Sequence, residues 1–274
     1  MEIKANAKIN WYLDVEGERA DGYHYIKSVM QPITLCDTVI LEQAAHDEIS
    51  CTDKLLANTR NLAYQAWQLM KERYKISGGM RIHIIKNIPV TAGLGGGSGD
   101  AAAVFRGINA MFGLDVPMRE LLELGATLGS DIPFAIQNKP ALCTGIGTEL
   151  HTLGNVPSYD ILLLNPNISL STKLVYQSYQ PLPQQHNETK IVEALRNNDL
   201  ESIGSCLHNA LAPAAAALCP KIPDMYNDLK AHGLYASMSG SGATVFGVGS
   251  KLAVEAAYQA LKDKYPIVIK TKTL

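Results

Sequence analysis

Residues Pro89–Asp100 read PVTAGLGGGSGD and run straight into Ala101-Ala102-Ala103. The residues ahead of them alternate. Met80, Ile82 and Ile84 fall on one side and Arg81 and His83 on the other, as in a half-buried strand that Pro89 stops. On this pattern His83 is expected to be a solvated strand residue rather than a ligand. Behind the run, Ala101, Phe105, Ile108 and Phe112 recur at helical spacing as far as Gly113. The order is therefore strand, glycine run, helix of small residues. A helix N-terminus carries unpaired N–H groups and about half a positive charge. Glycines let the backbone approach an anion closely and adopt positive φ, and successive N–H groups form an anion-binding nest. The stretch is expected to hold phosphate, with Ser98 offering a hydroxyl to a phosphate or to Mg²⁺.

Two familiar phosphate loops do not fit. No Lys follows the glycines, so the Walker pattern GxxxxGK[ST] is absent. A dinucleotide fingerprint GxGxxG counted from Gly93 meets Ser98 at its last position. The helix behind it does not lead promptly to a strand with a ribose-binding acid.

Outward from the loop, Lys8–Val15 reads as a strand, followed by a glycine-containing turn and then DGYHYIKSVMQPI. Thr38–Leu41 is β-rich. Asn61–Tyr74 reads as a helix with Leu62, Ala66, Leu69 and Met70 on one face, ended by Gly78-Gly79. Pro117 opens another helix carrying Leu121, Leu124 and Leu128. Tyr159–Leu164 is a short apolar strand ended by Asn165-Pro166, and a domain boundary is expected just before it, giving 1–155 and 156–274. Pro181–Asn187 is expected to be an exposed loop. Helices are expected over 189–197, 200–211 and 221–232, the last closed by Gly233. Two strands meet at Ser239-Gly240-Ser241-Gly242, and a helix over 251–264 and a strand Ile267–Thr271 follow. Both halves read as α+β or mixed α/β.

With 274 residues the chain is long enough for one large or two ordinary domains. Apolar residues make up 47% and charged ones 18%, so a true core is expected. A net charge of −2 and a pI near 6.4 argue against a nucleic-acid partner, so an anionic ligand has to be held by local groups. The opening MEIKANAKINWYLDV shows no secretory signal, and no run of about 18 apolar residues occurs, so a cytoplasmic protein without a membrane span is expected. The five cysteines, at 36, 51, 143, 206 and 219, form no CxxC pair and read as idle thiols. No HExxH or Cys/His cluster suggests zinc.

PVTAGLGGGSGDAAA resembles the second motif of the GHMP kinase superfamily. Ala7-Lys8-Ile9-Asn10 resembles the first and Ser239-Gly240-Ser241-Gly242-Ala243 the third, so three motifs stand in order across nearly the whole chain. Within the superfamily, AKIN, ADGYH at 20–24, GLGGGSGDAAA and LGSDIPF at 128–134 are most similar to the family of 4-diphosphocytidyl-2-C-methyl-D-erythritol kinases. One departure stands out: that family usually has two serines here, whereas Gly99 follows Ser98.

The resemblance implies an α+β, two-domain kinase. Its N-terminal domain would be ribosomal-protein-S5-like and its C-terminal domain ferredoxin-like, with the active site in the cleft between them. It implies ATP with Mg²⁺, a cytidine diphosphate methylerythritol substrate phosphorylated on its 2-hydroxyl, a place in the non-mevalonate route to isoprenoid precursors, and a monomer or weak homodimer. Pro89, Val90, Thr91, Ala92, Gly93, Leu94, Gly95, Gly96, Gly97, Ser98 and Gly99 would hold ATP, with Asn61 and Leu62 on the adenine side. Read from its neighbours alone, Asp131 is equally a helix cap, Lys8 an edge-strand lysine, and Tyr23 and His24 surface-turn residues. By resemblance, Asp131 accepts the substrate proton and Lys8 pairs with it, while Asn10 bonds the substrate near the reacting hydroxyl. Tyr23 stacks on the cytosine, His24 bonds its polar edge, Tyr176 closes the other face and Thr172 touches the substrate. Asp21 is expected to form a turn with Gly22. No side chain announces itself as a metal ligand. Two other readings stay open: a homoserine- or mevalonate-type kinase, and a non-catalytic nucleotide sensor on the same scaffold.

Overall fold

A computed structural model of the chain describes residues 1–20, 22–181 and 187–274. The turn expected of Asp21 lies outside these residues, as does most of the loop expected at Pro181–Asn187. The elements follow in the order β1 (Glu2–Glu18), β2 (His24–Ala44), β3 (Glu48–Cys51), α1 (Leu62–Arg73), β4 (Gly79–Ile85), α2 (Gly96–Met111), α3 (Met118–Leu128), α4 (Ile132–Gln137), β5 (Ala141–Thr144), β6 (Glu149–Thr152), β7 (Asp160–Asn165), α5 (Thr172–Gln177), α6 (Glu188–Arg196), α7 (Leu200–Cys206), β8 (His208–Asn209), α8 (Ala212–Leu218), α9 (Lys221–Ala231), β9 (Tyr235–Met238), β10 (Val245–Gly249), α10 (Lys251–Leu261) and β11 (Ile267–Lys272). Among the described residues no helix is long and apolar enough to cross a membrane.

The chain forms two compact units, and β1 and β2 contribute residues to both. The first comprises Met1–Ala7, Leu35–Pro89 and Gly95–Asn138. There β4 lies antiparallel to Thr38–Ala44 of β2 and parallel to β3. The expected alternation holds: Met80, Ile82 and Ile84 are fully buried, while His83 is half-buried and its Nδ1 lies 2.8 Å from the Ser50 hydroxyl. Met80, Ile82 and Ile84 share one core with Ala66, Trp67 and Met70 of α1 and Ala101, Phe105 and Ile108 of α2. Helix α1 ends at Arg73, earlier than the glycine pair, because Lys75 already turns into the left-handed region at φ 53°.

The second unit comprises Lys8–Thr34, Val90–Leu94 and Lys139–Leu274. A four-stranded antiparallel sheet runs β11-β7-β10-β9. Its core joins Leu162, Leu164 and Val245 to Met225 and Leu229 of α9 and Ala257 and Leu261 of α10. A boundary at residue 155 divides the chain by order, whereas packing draws residues 8–34 and 139–155 in with the C-terminal part. The reasons are visible in contacts. Trp11 stands edge-on to Tyr159 and Phe246, with ring centres 5.5 and 5.6 Å away. Its Nε1–H donates to Gln31, whose amide donates to the carbonyl of Leu274. Ser28–Met30 pair with β5. One expected helix, 200–211, is corrected: α7 stops at Cys206, His208 and Asn209 pair with Tyr12 and Leu13, and a new helix starts at Ala212. Pro213 suits only the first turn of a helix, so one continuous helix into this region is disfavoured.

Candidate active site

In the first unit, α2 begins inside the glycine run, at Gly96. Gly95 precedes it in the left-handed region, at φ 71°, which glycine reaches without a Cβ penalty. The first intrahelical bond runs from Gly99 N–H to the Gly95 carbonyl, so the amides of Gly96, Gly97 and Ser98 lie ahead of the helical ladder. This is the donor set that a phosphate group fits. Leu62 lies alongside, 3.7 Å from where a Cβ on Gly97 would sit. Asn61 caps α1: its Oδ1 accepts from Ala63 N–H at 2.9 Å and its Nδ2 donates to the Leu56 carbonyl.

The departure at Gly99 has a steric cause. A Cβ there would stand 2.9 Å from the backbone oxygen of Asn6, closer than real Cβ contacts come. Glycine therefore keeps α2 tight against β1 at this point.

Sequence reasoning missed a charged cluster in the same unit. Lys86, just past β4, donates to Asp37 of β2 and, at 2.8 Å, to Asp100 of α2. Asp37 and Asp100 are almost wholly buried. Burial lifts the Asp100 carboxyl above the usual carboxylate range, and Lys86 opposes that lift. Burial pulls the Lys86 ammonium down, but Asp100 and Asp37 outweigh it and hold its pKa above the ordinary value. A lysine and an aspartate do stand in otherwise apolar text at 86 and 37, but nothing in the sequence pairs them with each other or with Asp100.

Asp131 occupies the cap position of α4 but makes no side-chain capping hydrogen bond, and Pro133 stands in the first turn instead. The helix it precedes is firmly seated. Ile132, Phe134 and Ile136 are buried, and Arg106 of α2 donates to the Ala135 carbonyl at 2.7 Å and to the Lys4 carbonyl.

In the second unit, Lys8 is buried at 6% exposure, which sets aside the edge-strand reading. Its ammonium donates to Asn10 Oδ1 at 2.7 Å. The same oxygen accepts from Gly240 N–H at 2.8 Å, and Asn10 Nδ2 donates to Ser28, whose hydroxyl donates to the Tyr12 carbonyl. Asn10 is thus engaged on both ends of its amide. The turn Ser239–Gly242 joins β9 to β10. Ser239 donates its hydroxyl to the Gly93 carbonyl, and Thr244 N–H donates to Ala92. Gly93 has φ 76°, and a Cβ on it would fall 2.1 Å from the Ser239 carbonyl. Asn209 holds the turn from the other side, donating to the carbonyls of Met238 and Gly240. Elsewhere in the loop, Val90 and Thr91 are exposed, and the Leu94 carbonyl accepts from Lys8 N–H; Pro89, at the end of the first unit, is half-buried. Thr91 donates to the Ser169 hydroxyl.

The expected aromatic group lies in this unit too. His24 and Tyr176 face each other with ring centres 5.0 Å apart and planes 33° apart. Tyr179 stands edge-on to His24 at 6.5 Å, a neighbour the sequence did not suggest. Tyr23 is 59% exposed. The Thr172 and Ser241 hydroxyls are 2.8 Å apart, so Thr172 is tied to the glycine turn. Lys8 and Asp131 belong to different units. Among the described residues, no group of three or more His, Cys, Asp or Glu is arranged to hold a metal.

The family model for the GHMP kinases N terminal domain matches residues 61–141, and that for the GHMP kinases C terminal matches 191–267. The chain is 41% identical over 254 residues to a 4-diphosphocytidyl-2-C-methyl-D-erythritol kinase of Lachnospira eligens, covering 90% of this chain and 88% of that protein. It is 38% identical over 280 residues to one from Clostridium botulinum strain Langeland, covering all of both. A crystal structure of 4-(cytidine 5'-diphospho)-2C-methyl-D-erythritol kinase superposes with a TM-score of 0.86 at 31% identity, over 100% of this chain and 99% of that one. A homoserine kinase from Cytophaga hutchinsonii, at 18% identity and a TM-score of 0.71, shares the fold. With the glycine-led helix, the fixed lysine and the three ordered motifs, these matches show that the chain belongs to the GHMP kinases, in the family of 4-diphosphocytidyl-2-C-methyl-D-erythritol kinases.

Proposed function

We propose that this protein transfers a phosphoryl group from ATP to the 2-hydroxyl of 4-diphosphocytidyl-2-C-methyl-D-erythritol, serving isoprenoid precursor synthesis by the non-mevalonate route. The observation that carries this reading is the facing pair His24 and Tyr176, with the exposed Tyr23 next to His24 in the chain. A flat, partly polar base is a ligand that such rings recognise, and homoserine and mevalonate have none. Tyr23 stacks on the cytosine, His24 bonds its edge and Tyr176 supports the other face. Thr172, tethered to Ser241, lies next to this group in sequence and contacts the substrate.

ATP supplies the electrophilic phosphorus. The amides of Gly96, Gly97 and Ser98 hold its phosphate oxygens, and Leu62 offers apolar contact on the adenine side. Ser98 is the loop residue whose hydroxyl would help to hold a Mg²⁺ ion, which would offset negative charge on the phosphates. Asp131 takes the proton of the attacking hydroxyl. Lys8, pinned by Asn10, offsets charge on the transferred group. The enzyme works in the cytoplasm as a monomer or weak homodimer.

Tyr23→Ala tests the substrate assignment. The KM for the cytidine substrate should rise by about tenfold or more while that for ATP stays within about twofold. An equal rise in both would make Tyr23 a structural residue.

A further inference from the structure

We propose that the buried Lys86–Asp37–Asp100 cluster positions the phosphate loop, fixing both the strand end that enters the glycine run and the helix that leaves it. The inference rests on the ATP-dependent function proposed above.

Three elements converge on one ammonium. Asp37 comes from β2, Lys86 from the end of β4 and Asp100 from the second turn of α2. Asp37 also accepts from the amides of Asn87 and Ile88, at 2.6 and 2.8 Å, so it grips the residues that lead into Pro89. Asp100 grips the other side, through the helix whose first amides form the nest. The cluster lies directly beneath that nest. A Cβ on Gly96 would meet Ile88 Cγ2 at 3.1 Å and Lys86 Nζ at 3.3 Å. A displacement of Lys86 would therefore move the floor under Gly96.

Stability alone is a poor reason for such a cluster. Buried ion pairs are often replaced by apolar residues without loss, because desolvation offsets their attraction. Here the charge is also unbalanced, two carboxylates to one ammonium, and Asp100 Oδ1 is buried without a hydrogen-bond partner. What the cluster does provide is a fixed geometry at both ends of the loop, and misplacement of about 1 Å in a binding group is enough to lower function strongly.

The test uses the full chain and a non-hydrolysable ATP analogue, with cytidine diphosphate as the comparison ligand. The triple variant Lys86→Met, Asp37→Asn, Asp100→Asn leaves no buried charge unpaired and keeps side-chain size. It should melt near the wild-type temperature, bind the ATP analogue about tenfold more weakly and bind cytidine diphosphate within about twofold of wild type. If that variant does not fold, Asp37→Asn alone should show the same selective loss, at about fivefold. Unchanged binding of the ATP analogue would overturn the proposal, and so would an equal loss for both ligands. Wild-type protein that bound no ATP analogue would overturn the functional reading first, and this one with it.

Discussion

The start of α2 and the turn Ser239–Gly242 are both glycine-rich, yet they are built in opposite ways. At α2 the ligand-facing groups are backbone amides, and the side chains that matter, Lys86, Asp37 and Asp100, lie buried behind them. At the turn, the backbone serves side chains: Gly240 N–H and the Lys8 ammonium share Asn10 Oδ1. One region presents an array of dipoles for an anion. The other locks a single cation in place. Glycine runs of similar appearance thus announce different chemistry according to what stands behind them.

The largest effect expected from breaking either region is at Gly93, which joins the loop to the turn. Gly93→Ala brings a Cβ to 2.1 Å from the Ser239 carbonyl at a positive φ, and should destabilise the fold by about 4 kcal/mol or prevent folding, read by denaturant unfolding. Asp131→Asn should lower kcat by at least about a hundredfold with unchanged affinity for an ATP analogue. Near-normal turnover would remove Asp131 from the role of base. Asn10→Ala removes one hydrogen-bond partner of the Lys8 ammonium and should lower kcat by about tenfold or more, with the KM for ATP little changed. A rise confined to the KM for the cytidine substrate would instead make Asn10 a substrate contact. The smallest effect is at Gly99→Ser, where the hydroxymethyl group meets the Asn6 carbonyl. It should cost about 1–2 kcal/mol of stability and bring no gain in ATP affinity.

Much of this was legible in the residues because some positions have few physical solutions. A strand, glycines and then alanines leave little but a helix N-terminus open to a ligand, and α2 even begins earlier than the periodicity suggested, inside the glycines. The alternation at Met80, Ile82 and Ile84 announced a buried strand face for the same reason. Side-chain networks were not legible. The resemblance gives Asn10 as a substrate contact, and only its hydrogen bonds from the Lys8 ammonium and Gly240 N–H show what holds its side chain. The Lys86 cluster joins residues from positions 37, 86 and 100, and nothing local marks them as neighbours. The break after Cys206 was missed because the apolar spacing runs on through it, whereas pairing of His208 and Asn209 with β1 decides the backbone there.

The central claim, a kinase for a cytidine-bearing alcohol, is tested most directly by one assay. Purified protein is given ATP with 4-diphosphocytidyl-2-C-methyl-D-erythritol, homoserine or mevalonate, and ADP release and the phosphorylated product are measured. The expected result is a product phosphorylated at the 2-hydroxyl from the cytidine compound alone. Phosphorylation of homoserine or mevalonate, or of none of the three, would contradict it.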